Sequence, residues 1–507
     1  MSEKEKLYSK LFILTAIFSI TTPIFLILSF SFELSEAFLS LFSNSNSILW
    51  VGGTILLLAL FSLLCAYMIY NKQKNNITIR SKLMALIFLP ILIIGSGVGT
   101  VYFIGNLAPE DRGPYLSWRD DPKTTMTISF ERRIKGDYTL EYGYEGQMFE
   151  KEIDFERSDM RQEDGYYHYS VELKGLKPDK RYYYRIPEFM ETVGNFKTAP
   201  NSTTADFKFL LYGDSREMNG IIANQHLSLV SQMLDSHDLL DFSFVINTGD
   251  LAGEHNDVKQ WNLHFQAIKD LAKNVPYFVA SGNHEWNDGD NWNYEAQPAL
   301  EIQDFPEKNI VDANIYSLDE ISYSFGFSNS FFIFLGYPHV GYEFDGEEKY
   351  LDWLEDQLAI GNESYDFTFV SLHRPPFDDR EGEDSDDNPD IIERECPLFH
   401  NYSVEAVFCG HNHVLAHQKI SWDKDPNERT VHYLISGGGG APLREPQYGE
   451  WDDDYDMGFS GKTIFCKRAY NYYTIEVNAE KGEATFTGYE LGGAELESFT
   501  IEAYNKI

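Results

Sequence analysis

The chain has 507 residues and a mass of 58.4 kDa, which at roughly 100–200 residues per domain excludes a single small binding module. It carries 41 Lys and Arg against 79 Asp and Glu, a formal charge of −38, and so acidic a chain repels phosphate backbones, which argues against nucleic-acid binding along a broad surface. The four cysteines, Cys65, Cys396, Cys409 and Cys466, include no C-x-x-C pair, which excludes a disulfide scaffold and a zinc ribbon and leaves open one bridge between Cys396 and Cys466 if that part lies outside the cell.

The charge is unevenly placed. Up to Asn106 the balance is +3, from Lys4, Lys6, Lys10, Lys72, Lys74, Arg80 and Lys82 against Glu3, Glu5, Glu33 and Glu36, so the remainder carries −41. Within this region residues 11–32, 48–70 and 83–107 hold no charged side chain. Each is long enough to cross a hydrocarbon core of about 30 Å, for which about 20 helical residues suffice. Residues 1–107 are therefore expected to form a three-helix membrane anchor; the first run is too long for a signal peptide and no small-residue cleavage pattern follows it. Residues 33–47 lack Lys and Arg, whereas 71–82 contain Lys72, Lys74, Arg80 and Lys82. The positive-inside rule then puts the N-terminus in the cytoplasm and everything after Leu107 outside, where Asn201, Asn362 and Asn401 would be open to glycosylation.

Residues 108–203 read as a small all-β domain. Short runs such as MTISF (126–130), YTLEYGY (138–144), YHYSVEL (167–173) and RYYYRIP (181–187) alternate or are apolar, with turn signals at Lys135-Gly136-Asp137 and Leu176-Lys177-Pro178-Asp179. The segment LKGLKPDKRYYYRI resembles the late strands of a fibronectin type III fold.

From Phe207 five apolar, β-branched and aromatic runs each end in metal-ligand residue types. They are FKFLLYGDSR at Asp214, FSFVINTGD at Asp250, VPYFVASGNHE at Asn283 and His284, YDFTFVSLHRPP at His373, and VEAVFCGHNH at His411 and His413. Strands that deliver polar residues to one edge are how open α/β sheets build sites. Helix-like stretches at 222–234, 258–272 and 349–358 lie between them, and β-like segments follow Val431. A glycine before Asp214, Asp250, Asn283 and His411 lets the chain turn sharply into a shared cleft. Two carboxylates, an amide oxygen and three imidazoles make a mixed O/N donor set suited to Zn, Fe or Mn and too rich in nitrogen for calcium.

The order and wording of these motifs resemble the calcineurin-like metallophosphoesterase superfamily, and within it the purple acid phosphatases with an N-terminal fibronectin-like domain. GPYLSW (113–118), FKTAP (196–200) and SGGGGAPL (436–443) extend the likeness to the C-terminus. The resemblance implies a two-sheet αββα catalytic domain over residues 204–507 that holds two metal ions. Asp250 would bridge them, Asp214 and His413 would serve the first, and Asn283, His373 and His411 the second. His284 would touch the phosphate or protonate the leaving oxygen, while water activated on the metal pair attacks phosphorus.

Two positions depart from the pattern. Arg216 stands where many members have histidine, and Gly253 where the purple enzymes have tyrosine. The first ion thus lacks one protein ligand; Glu254, His255 or water fills the place, or the ion binds weakly or is absent. Arg216 presents a planar fork of donors suited to binding a substrate phosphate, or forms an ion pair with Asp214 or Glu217 that shapes the loop. Two further features lie beside the expected cleft: an acidic insertion at 377–390 and the aromatic stretch WNDGDNWNY at 286–294. The expected function is a membrane-anchored phosphoesterase acting on small phosphomonoesters or diesters, and the rival is a non-catalytic receptor or adhesion protein with a degenerate site.

Overall fold

The structure is a computed structural model and describes residues 111–158, 165–189, 193–216, 225–254, 257–285, 315–318, 322–336, 347–378, 388–425, 429–452 and 458–504. The three expected membrane spans lie outside these residues, as do His255, Glu217, the stretch 286–294 and most of the insertion at 377–390. No helix among the described residues is long and apolar enough to cross a membrane.

The first part is a sandwich of two antiparallel sheets. Its strands are β1 (Asp111–Ser117), β2 (Met126–Arg132), β3 (Thr139–Tyr144), β4 (Gln147–Asp154), β5 (Glu156–Arg157), β6 (Tyr167–Leu173), β7 (Arg181–Arg185) and β8 (Gly194–Lys197). They pair in the orders β1-β2-β6-β5 and β4-β3-β7-β8. Alternate residues of β3 and β7 point inward, as expected for sheets wet on one face. Phe130 centres the core, with the rings of Tyr138, Phe155, Tyr169 and Phe189 at 4.4 to 5.1 Å. Strand β4 is not marked in the sequence, because nearly all of its side chains are exposed and no apolar alternation runs along it.

The second part begins with β9 (Phe207–Tyr212), α1 (Gln225–Ser236), β10 (Phe242–Asn247), α2 (Val258–Ala272) and β11 (Tyr277–Val279). It continues with β12 (Ile315–Leu318), β13 (Ser322–Phe327), β14 (Ser330–Phe334), α3 (Glu347–Ser364), β15 (Phe367–Ser371), α4 (Pro389–Arg394), α5 (Cys396–Asn401) and β16 (Ala406–Cys409). The last strands are β17 (Leu415–Trp422), β18 (Thr430–Ser436), β19 (Glu450–Asp452), β20 (Phe459–Lys467), β21 (Asn471–Asn478), β22 (Glu483–Glu490) and β23 (Glu495–Glu502). Among the described residues they form a six-stranded sheet, β11-β10-β9-β21-β22-β23, and a nine-stranded one, β12-β13-β14-β15-β16-β18-β17-β20-β19. Of the β-like segments after Val431, β21, β22 and β23 complete the six-stranded sheet, and β18, β19 and β20 belong to the nine-stranded one.

Phenylalanines join the sheets face to face. Phe209 and Phe244 of the first sheet lie 5.0 to 5.4 Å from Phe332 of the second, ring centre to ring centre, and Phe369 and Phe408 continue the layer. Helices α1 and α2 bury Leu229, Met233, Phe265 and Ile268, while α3 covers the other sheet with Trp353, Leu354 and Leu358. Strands covered on both faces read as continuous apolar runs, which is why β9, β10 and β15 were visible in the sequence. The helix expected at 349–358 runs six residues further, to Ser364.

The sandwich is tied to α2 and to both sheets. Arg112 of β1 donates to Glu131 at 2.8 Å and to Asn262 of α2 at 2.7 Å, and Tyr166 donates to the same Asn262 oxygen. Trp118, just after β1, packs on Phe244, Phe278, Phe325 and Phe327 with ring centres 4.9 to 5.9 Å away. Cys396, Cys409 and Cys466 are all free thiols, so no bridge joins Cys396 to Cys466; Cys396 is buried and receives the Tyr433 hydroxyl proton.

Candidate metal centre

Strands β9, β10 and β11 are mutually parallel in one sheet, as β14, β15, β16 and β18 are in the other. The residues just past the carboxyl ends of β9, β10, β11, β15 and β16 meet in one place. Asp214, Asp250, His411 and His413 take positive φ values of 49 to 66°, half of the non-glycine residues in that region among those described. Such backbone is sparsely populated and concentrates at functional sites. The intervening Gly249 has φ +98°, and a side chain there would strike the Ala280 carbonyl and the Gly282 amide.

Four donor atoms form a compact set. His373 Nε2 lies 3.2 Å from both Asp250 Oδ1 and Asn283 Oδ1, and His411 Nδ1 lies 3.0 Å from Asn283 Oδ1 and 3.3 Å from His373 Nε2. Ligands about 2.0–2.1 Å from one ion stand about 3.3 Å apart in a tetrahedron, so Asn283, His373 and His411, whose three mutual distances all match that spacing, fit a shared metal, with Asp250 Oδ1 beside His373. His373 Nδ1 donates to the Thr248 carbonyl at 2.7 Å, which leaves the Nε2 lone pair facing the set. Asp214, Asp250 and His373 also offer ligand atoms within 4.8 Å of one another, and all three are buried.

The second donor group is less complete. His413 Nε2 is 3.3 Å from Asp214 Oδ1, and its Nδ1 donates to the Pro442 carbonyl at 2.9 Å. Asp214 Oδ2 accepts the His411 backbone N–H, while Oδ1 is buried without a hydrogen bond. Arg216 enters this group: its Nη2 is 3.4 Å from His413 Nε2 and its Nε 3.5 Å from Asp250 Oδ2. Its ion pair is therefore with Asp250 rather than with Asp214. Glu254 is exposed.

Charges in the centre answer one another. Burial opposes a charged Asp250 carboxylate, but His373, His284 and Arg216 together hold its pKa well below the usual range. Burial likewise opposes a charged His373, and Asp250 outweighs it, pushing the imidazole up to about 9. His284 Nδ1 donates to the Gly253 carbonyl at 2.6 Å, its backbone N–H donates to Asp250 Oδ1, and its Nε2 lies 3.7 Å from Asp250 Oδ2. The glycine that replaces a tyrosine thus orients His284 through its backbone.

Glu285, which closes the run VPYFVASGNHE, has a role that the sequence alone does not reveal. It is fully buried and its carboxylate accepts the backbone N–H groups of Asp250, Leu251 and Gly282 at 2.6 to 2.9 Å, tying the β10 turn to the β11 turn. Burial, reinforced by Asp250, pushes its pKa up to about 7. The glycine run also has a structural meaning: a side chain on Gly437 would press on the His413 amide, and the Gly439 and Ala441 amides bond the carbonyls of Gly213 and Asp214.

The model of the purple acid phosphatase N-terminal domain matches residues 112–209, and that of the calcineurin-like phosphoesterases matches residues 207–415, which include all six candidate ligands. A calcineurin-like phosphoesterase domain thus follows a purple acid phosphatase N-terminal domain within the chain. The chain is 26% identical over 340 residues to a protein of Arabidopsis thaliana named probable inactive purple acid phosphatase 1, covering 58% of the chain and 53% of the relative. It is 24% identical to tartrate-resistant acid phosphatase type 5 of Rattus norvegicus, covering 61% and 90%. The chain spans about half the length of the first of these. A purple acid phosphatase from yellow lupin (Lupinus luteus) seeds shares the fold with a TM-score of 0.58 and 17% identity, over 78% of this chain and 76% of that chain.

Proposed function

We propose that this chain is a membrane-anchored, metal-dependent phosphoesterase that hydrolyses small phosphomonoesters, with diesters as the second ester class. The observation that carries the reading is the four-donor set of Asp250, Asn283, His373 and His411 with its neighbour His284. In this reading residues 1–107 anchor the chain, 108–203 form the sandwich and 204–507 the catalytic domain, which faces the extracytoplasmic side. The uncharged runs and the Lys and Arg of residues 71–82 support the anchor and its orientation.

Asp250, Asn283, His373 and His411 would hold one ion of Fe, Zn or Mn, and Asp214 and His413 would face the position of another. A bound ion of this kind lowers the pKa of its water and offsets charge on the phosphoryl oxygens. The Thr248 carbonyl keeps His373 in the tautomer that directs Nε2 at the ion. The Gly253 carbonyl keeps the His284 proton on Nδ1, so Nε2 receives a further proton in the acid form and passes it to the leaving oxygen. Arg216 offers its guanidinium to the phosphate oxygens.

The non-catalytic reading draws on one observation, the loss of a ligand at both Arg216 and Gly253, and on relatives named as probable inactive. Metal analysis of the full chain, run beside hydrolysis of aryl phosphate mono- and diesters, separates the two. Bound metal with turnover abolished by Asp250→Asn and His411→Ala supports the enzyme. Absence of metal and turnover after reconstitution with Zn, Fe and Mn supports the receptor.

A further inference from the structure

We propose that Arg216 takes the place of one metal ion, so that the chain binds a single ion in the Asp250, Asn283, His373 and His411 set. The inference rests on the metal-dependent reading above. A two-ion site needs its first ion held by Asp214, Asp250, His413 and a fourth protein group, and the two positions that supply that group elsewhere carry Arg216 and Gly253.

Two of the three remaining donors are already engaged. His413 uses Nδ1 on the Pro442 carbonyl, so its only lone pair is on Nε2, and Arg216 Nη2 lies 3.4 Å from that atom. Asp250 Oδ1 faces His373 at 3.2 Å, whereas Oδ2, the oxygen on the other side, has Arg216 Nε at 3.5 Å. The guanidinium thus reaches two of the three donors that a first ion would require. Its backbone is fixed there as well, because the Arg216 N–H donates to the Asp250 carbonyl at 3.0 Å. A guanidinium stays charged at every accessible pH, so it repels a second cation while supplying permanent positive charge beside Asp214 and Asp250. The single-ion site keeps a fixed cation facing the phosphate, and it loses the redox-active or tunable character of a second metal.

The number of ions tests this directly. Full-length protein is stripped with chelator, reconstituted with MnCl2, freed of excess metal and measured by elemental analysis and by electron paramagnetic resonance. One Mn per chain with the spectrum of an isolated ion is expected. Two Mn per chain with the spin-coupled spectrum of a pair would overturn the proposal and leave the metallophosphoesterase reading standing. No bound Mn or Zn would overturn both. The Arg216→His, Gly253→Tyr double variant restores the missing ligand types and is expected to take up a second ion and show coupling. If it melts cooperatively like the parent yet stays at one ion, the assignment to Arg216 falls; should it fail to fold, the parent's ion count and spectrum still decide the question.

Discussion

His373, His413 and Asp214 are each held by a second contact that fixes which atom faces the cleft, and Glu285 extends this to the backbone. Its carboxylate satisfies three N–H groups from two turns, so Glu285→Gln places an amide N–H against a donor. A buried polar mismatch of this kind costs about 1–3 kcal/mol, and loss of an outer partner weakens metal binding about 10–100-fold. Both effects are expected together in a thermal melt and a metal titration of this variant; an unchanged metal affinity would reduce Glu285 to a fold-stabilising role. His284 makes the opposite case. Its ring binds the Gly253 carbonyl and stands outside the four-donor set, so His284→Gln is expected to keep its metal and lose about 10²–10⁴ in kcat. Loss of metal along with activity would make His284 a ligand instead. At this scale the six candidate ligands were legible in the sequence, because each follows an apolar strand as a donor residue. It did not show Glu285, whose role depends on amides brought close only by folding.

Elements place these residues by ending parallel strands at one edge, and the sandwich braces the sheets behind them. Trp118 is the contact that carries the bracing, since it is buried among four phenylalanines from β10, β11 and β13. Truncating a buried tryptophan costs about 3–5 kcal/mol. Trp118→Ala is therefore expected to lower the melting temperature and to open the 108–203 region to proteolysis before the catalytic part unfolds. Coincident loss of both regions would mean that they unfold as one unit. The apolar strands β9, β10, β15 and β16 were legible as continuous runs because they are covered on both faces. Strand β4 was not, since it lies at a sheet edge with nearly all side chains in solvent, and the interlocking of Arg112 with Asn262 joins residues 150 apart in sequence.

Across the whole molecule, buried histidines set the response to acid. Burial lowers His226 and His432 to about 3 and His400 to about 4, with His264 and His417 also lowered. The folded chain holds these imidazoles neutral while the unfolded chain takes up protons at about 6.5. Their contribution is complete above that pH and falls away as pH drops towards 4. Two buried carboxyls act in the opposite sense: Glu285 and Glu405 are raised to about 7 and about 8, mainly by burial, so they favour the fold on the acid side and lose that contribution as pH rises from about 4.5. The lowered imidazoles outnumber these two raised carboxyls, so stability falls as pH drops below about 6.5. The chain is thus expected to be most stable near pH 6.5–7.5 and to unfold below about pH 5. His432 lies 2.8 Å from His417 Nε2, beneath Phe499. His432→Gln removes one of the five groups, so its melting temperature should trail the parent at pH 7.5 and converge on it at pH 5. Parallel melting curves across that interval would show that the pair is not among the groups that drive acid unfolding.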